Sequence, residues 1–269
     1  VQPFFLSGSA GNLFAVYFPP ASEENHHGDI LFVPPFAEEL NRSRHMISRQ
    51  ARTFAQQGYG VLLLDLYGTG DSEGRFHEAL WPIWKDDLSR ARNWLQEKSG
   101  KKTALWAMRT GALLALDLLQ DQPEFCEKIL FWAPVSNGRN FINQFLRIKL
   151  AADMAGNEGD SSTKSLLKQL EGGQSLEIGG YELTPEMARS LSTLSLAKLS
   201  PPADLKIFWH EISLTDPAKL SPGSERIITK WKDEGIIISA QALKDVPFWS
   251  LQEPEWAHSM IEASAAFTS

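Results

Sequence analysis

A chain of 269 residues, 43% hydrophobic and 22% charged, has the size and composition of a soluble protein able to bury a full core. A net charge of -7 with no basic stripe argues against a nucleic-acid partner, and the single cysteine, Cys126, excludes an internal disulfide and suits a reducing compartment. No apolar run is long enough to span a membrane, and the start VQPFFLSGSAGNL lacks the basic and apolar regions of a secretory leader, so the sequence reads as cytoplasmic.

In chain order, QPFFLSGSAGNLFAVYFPP reads as a hairpin about its serine–glycine turn, followed by a polar loop. His26 and His27 lie in that loop, but two adjacent imidazoles without further ligands do not make a metal site, and no metal or cofactor is expected. DILFVPPF and GVLLLDL are near-continuous apolar runs that suit buried parallel strands. Between them Met46, Ile47, Ala51 and Phe54 fall at helical spacing and predict a helix over 43–57. The glycine-rich YGTGDSEG lacks the Lys-Ser/Thr of a phosphate loop and reads as a tight turn. Trp84, Leu88, Ala91 and Leu95 mark a further helix over 84–97.

The strand TALWA then runs directly into the helix GALLALDLL, and KILFWAPV follows as another buried strand. Alternation of this kind means a mainly parallel, doubly wound α/β sheet with helices on both faces. It stops over 136–202, where NFINQFLRIKLAADM is amphipathic, GNEGDSSTK reads as flexible, and a second helix starts near Pro185. This stretch is read as a helical cap inserted between core segments 1–135 and 203–269. The core resumes with LKIFWHEI, a helix over 224–233, IIISAQAL, and a last helix from about Pro254.

Strand, tight turn and helix around AMRTG is the layout of the nucleophile elbow, G-x-S-x-G, of α/β hydrolases. On that pattern Ala107 and Gly111 take the glycines and Arg109 takes the serine. The turn GTGDSEG is similar to the G-x-G-x-S turn of monoglyceride-lipase-like members, and PPFAEELN stands where such enzymes carry an oxyanion loop. PPFAEELN, WKDDL, MRTGALLALD, GGYELTPEMA and PFWSLQE together resemble the exosortase A system-associated hydrolases of the second type. That resemblance implies an α/β-hydrolase fold with a cap, a hydrolase by family, and a setting of exopolysaccharide and protein-sorting systems.

The residues themselves do not supply the chemistry. A guanidinium stays protonated and cannot attack a carbonyl. The loop that should hold the base reads LKDVPFWSLQE, with Phe248 or Trp249 in its place, and His258 lies within the following helix. Glu211 and Asp216 are available as acids, but an acid alone orients nothing. No catalytic residue is therefore assigned. Ser136 is the better candidate for a relocated nucleophile, and Ser72 more readily bonds its own turn. The alternative function is accordingly an active serine-type hydrolase of an ester or thioester. At the elbow, Arg109 can pair with Glu38 or Glu39, or hold an anion at a helix N-terminus. The candidate ligand-binding set is Met108, Arg109, Thr110, Phe36, Ala37, Glu38, Glu39, Asn41, Phe248 and Trp249, with an acyl or glycosyl small molecule under the cap as the expected partner.

Overall fold

The computed structural model describes residues 1–155 and 162–268. Its strands are β1 (Gln2–Ser7), β2 (Asn12–Phe18), β3 (Gly28–Val33), β4 (Tyr59–Leu64), β5 (Thr103–Met108), β6 (Lys128–Trp132), β7 (Leu176–Ile178), β8 (Tyr181–Leu183), β9 (Lys206–Ser213) and β10 (Ile237–Lys244). Eight of them form one sheet in the order β1-β2-β4-β3-β5-β6-β9-β10. Pairing is antiparallel at β1–β2 and β2–β4 and parallel from β4 through β10. The central strands β3 and β5 are buried at every residue, which is why they are apolar on both faces instead of alternating.

The helices are α1 (Glu38–Gln56), α2 (Trp81–Ser99), α3 (Gly111–Asp121), α4 (Gly138–Ala155), α5 (Thr163–Glu171), α6 (Pro185–Thr193), α7 (Pro222–Asp233) and α8 (His258–Ala263). One apolar layer joins the sheet to α2, α3 and α7 and continues into α4 to α6. The other packs α1 and α8 on the opposite face around Trp106, Trp132, Phe54 and Phe248. The fold is the doubly wound α/β class expected from the alternation.

Strands β6 and β9 are paired neighbours, so everything between them leaves the sheet and returns to it. That excursion contains α4, α5, the antiparallel hairpin β7–β8 and α6. The sequence pattern does not reveal α5 or the hairpin. Most of GNEGDSSTK lies outside the described residues, but Ser162 belongs to the start of α5, where it caps the helix by accepting from the Ser165 amide. Helix boundaries also move: α1 begins at Glu38, α2 at Trp81 and α7 at Pro222, and the last helix begins at His258 after an irregular 251–257 stretch.

Candidate active-site region

The parallel strands β3, β5 and β6 end side by side, and the turns that follow them face one another there, the usual ligand-binding edge of open α/β sheets. Arg109 forms the turn between β5 and α3 at φ 54°, in the left-handed region that side chains rarely adopt. The turn is pinned on both sides: the Arg109 amide donates to the Trp132 carbonyl at 2.9 Å, and the Val135 amide donates to the Arg109 carbonyl at 3.0 Å. Gly111 is required by close approach, because a Cβ there would lie 2.4 Å from the Val33 carbonyl oxygen. The strained elbow that G-x-S-x-G normally builds is present, with arginine at its tip.

Three elements converge on that arginine. From α1, Glu39 Oε1 accepts from Arg109 Nε at 3.2 Å and Nη2 at 3.0 Å. Beyond the end of β6, the Ala133 carbonyl, itself at φ 45°, accepts from Nη1 at 3.1 Å. From the 248–250 turn, the Trp249 ring lies 4.7 Å from the guanidinium carbon, a cation–π contact. The Arg109 and Glu39 side chains are 17% and 20% exposed, so the pair is largely withdrawn from water. Burial pushes the Glu39 carboxyl above its ordinary value, against the opposing pull of the Arg109 charge and hydrogen bonds. Its second oxygen, Oε2, is buried without a hydrogen-bond partner.

Of the two acids that could have met Arg109, Glu39 does so and Glu38 turns to the excursion. Glu38 Oε2 accepts from the Tyr181 hydroxyl at 3.1 Å and from Asn41 Nδ2 at 3.2 Å, and Asn41 also donates to the Tyr181 oxygen at 2.9 Å. Burial, then the neighbouring Glu38 charge, pushes the Tyr181 phenol up to about 12. Ala37 holds the turn before α1 at φ 53°. Phe36 is 2% exposed and meets Phe76, Trp84, Phe141 and Phe145 edge-on, so an aromatic cluster fills the space beside the elbow. Met108 and Phe248 belong to the apolar layer under α1, and Thr110 is 3% exposed at the start of α3.

The other chemistry-bearing residues stay apart from Arg109. Asp216 pairs with Lys244 at the surface, while Glu211 accepts from the Ser221 amide at 3.0 Å. Ser72 donates to the Asp65 carbonyl at 2.5 Å and accepts from the Phe14 amide at 2.8 Å, so it belongs to its turn. None of the six histidines is hydrogen-bonded to Arg109 or to Ser136 among the described residues, and His258 is exposed. His210, not singled out by the sequence pattern, is 1% exposed on β9, and burial lowers its pKa to about 4. No group of three or more His, Cys, Asp or Glu side chains is placed to hold a metal ion among the described residues. No helix among them is long and apolar enough to cross a membrane.

Sheet order, crossover connections and an elbow at the end of β5 define the α/β-hydrolase fold. The family model of the serine aminopeptidases, S33, matches residues 24–161, just over half of the chain, and the protein belongs to that family. No curated protein matches its sequence. The fold is similar to Est1E from Butyrivibrio proteoclasticus with ferulic acid bound, at 11% identity over 97% of this chain and 95% of that one, TM-score 0.65. It is similar to proline iminopeptidase from Mycobacterium smegmatis at 9% identity over 99% and 97%, TM-score 0.59. A carboxyl esterase from Bacillus coagulans with glycerol bound matches at 12% identity over 90% and 89%, TM-score 0.58. At these identities the likeness is one of fold.

Proposed function

We propose that this chain is a non-hydrolytic member of its family, which binds a ligand or a protein partner and does not turn over an ester. The observation that carries the reading is Arg109 at the elbow tip, bonded to Glu39 and Ala133 and covered by Trp249. Acyl transfer on this fold needs a nucleophile, a base bonded to it and an acid orienting the base. Here the nucleophile's place is cationic, and an indole packs on it where an imidazole is needed. The excursion over 136–202 serves as a cap, with core segments 1–135 and 203–269 beneath it, and the Tyr181 contacts to Glu38 and Asn41 tether it. The resemblance of PPFAEELN, MRTGALLALD, GGYELTPEMA and PFWSLQE to the exosortase A system-associated branch supports a link with exopolysaccharide and exosortase systems, and the sequence composition supports a cytoplasmic setting. The occupant under the cap is an acyl or glycosyl group, or the cap itself docks a partner.

A fluorophosphonate probe and short p-nitrophenyl esters test the reading together. Loss of the nucleophile alone lowers turnover by about six orders of magnitude in a serine protease, so no labelling and background ester cleavage are expected. Stoichiometric labelling that disappears in Ser136→Ala would establish a relocated nucleophile and end the proposal.

A further inference from the structure

The strand ends remote from Arg109 carry a cavity of about 560 Å³, between α2 and the turns that lead into β6 and β9. Its volume lies within the range of small-ligand pockets, roughly 300–1,000 Å³. Phe125, Cys126 and Leu205 are its buried floor, and Pro123, Pro202 and Ala203 are its accessible apolar lining. Burial pushes the Cys126 thiol up to about 12, so that floor is neutral and unreactive. Arg92 lies over it with its guanidinium carbon 5.5 Å from the centre of the Phe125 ring. Among the described residues Arg92 has no carboxylate or carbonyl partner, and its Nε is buried without an acceptor. The other lining cation, Lys102, is committed to Glu127 at 2.5 Å. The Thr103 hydroxyl at the start of β5 is likewise buried and unpartnered, and a rotation about χ1 exchanges it with the methyl group beside it.

A half-buried guanidinium with no anion beside it and an unsatisfied Nε can still take a carboxylate. We propose that this cavity binds a small monocarboxylate whose compact apolar body lies on Pro123, Pro202 and Ala203. The planar guanidinium matches a carboxylate with two parallel hydrogen bonds. The charge on the ligand is limited to one because Glu124 and Asp204 also line the cavity and repel a second negative charge. Phosphate is therefore a poor occupant. The site lies at the opposite end of the sheet from Arg109 and does not depend on the reading of the elbow.

The probe is 4-fluorobenzoate, followed by fluorine NMR on the full chain, with inorganic phosphate as competitor. Saturable binding is expected at roughly millimolar concentration, as suits a ligand of so few atoms. Arg92→Lys keeps the charge but loses the fork and should weaken binding about tenfold. Ala203→Trp, at an exposed position on the lining, should block binding without removing any polar group. Absence of saturable binding, or equal competition by phosphate, would overturn the proposal. So would a signal unchanged in both variants, or one abolished by Arg109→Gln, which would place the anion at the elbow.

Discussion

The two halves of the Arg109–Glu39 pair should respond unequally to neutralisation. Breaking a fully buried ion pair costs about 3–5 kcal/mol, because one charge is left without a partner. Glu39→Gln does not create that situation. Arg109 keeps the Ala133 carbonyl and the Trp249 ring, and the glutamine oxygen can still accept where Glu39 Oε1 lies, 3.0 Å from Nη2. Burial also disfavours the ionised form of Glu39 more than Arg109 favours it, so removing the charge relieves a penalty. The expected cost is under ~1 kcal/mol at neutral pH, a melting shift of at most about 4 °C. Arg109→Met removes the cation bonded to a carboxylate that is 20% exposed, and should cost about 2–4 kcal/mol.

The sign of the pH dependence follows. A carboxyl whose folded pKa is raised holds more protons in the folded than in the unfolded state between the two pKa values, so stability rises as pH falls through that window. Loss of Arg109 raises the Glu39 pKa further and widens the window toward neutrality. Urea unfolding at about pH 7 and pH 5 should therefore show the Arg109→Met deficit shrinking in acid, and Arg109→Met/Glu39→Gln should be more stable than Arg109→Met at neutral pH. An Arg109→Met deficit independent of pH, or Glu39→Gln costing as much as Arg109→Met, would refute this account of the pair.

Three further outcomes are expected. Gly111→Ala places a Cβ 2.4 Å from the Val33 carbonyl and 2.8 Å from that of Pro34, and denaturant unfolding should show a loss of about 3 kcal/mol. Arg109→Ser should not create esterase activity, since Trp249 supplies no base; p-nitrophenyl acetate turnover above background in that variant would show that another group does. Asp87 is fully buried and pushed by burial to about 6, so it raises stability as pH falls from about 6 toward 4, whereas His210, lowered to about 4, loses stability over the interval from about 6.5 to 4. Melting profiles should accordingly become more acid-sensitive in Asp87→Asn and less so in His210→Leu.

What could be read from the chain follows the strength of its local patterns. The buried strands β3 to β6 were legible because a parallel strand covered on both faces must be apolar throughout. The hairpin β7–β8 was not, because each of its strands has three residues and its order comes from packing against α4 and the Phe76–Glu78 turn. The apolar pattern starts α1 too late because its first turn carries two glutamates and no apolar periodicity, although acids suit that end of a helix dipole. Arg109 could be placed from its spacing to Gly111. The choice between Glu38 and Glu39 could not, because it depends on where α1 begins: consecutive helical residues diverge by about 100°, sending one acid to the hairpin and the other to the elbow. The choice between Phe248 and Trp249 depends in the same way on the turn they occupy, with Phe248 packed on Trp132 and Trp249 left facing the guanidinium.

Arginine at the elbow also explains how the turn keeps its shape without a serine at its tip. A non-glycine residue at φ 54° costs of order 1–3 kcal/mol and persists only where its surroundings hold it there. The backbone on both sides of Arg109 is tied to Trp132 and Val135. Its side chain then reaches α1, the residue after β6 and the 248–250 turn, which are the elements that present the oxyanion loop, the sheet edge and the base in hydrolases of this fold. One side chain thus braces loops that a serine would leave to a hydrogen-bonded triad. Building a triad at this elbow would require replacing that brace and its Glu39 and Trp249 contacts together, since each of them meets a cation.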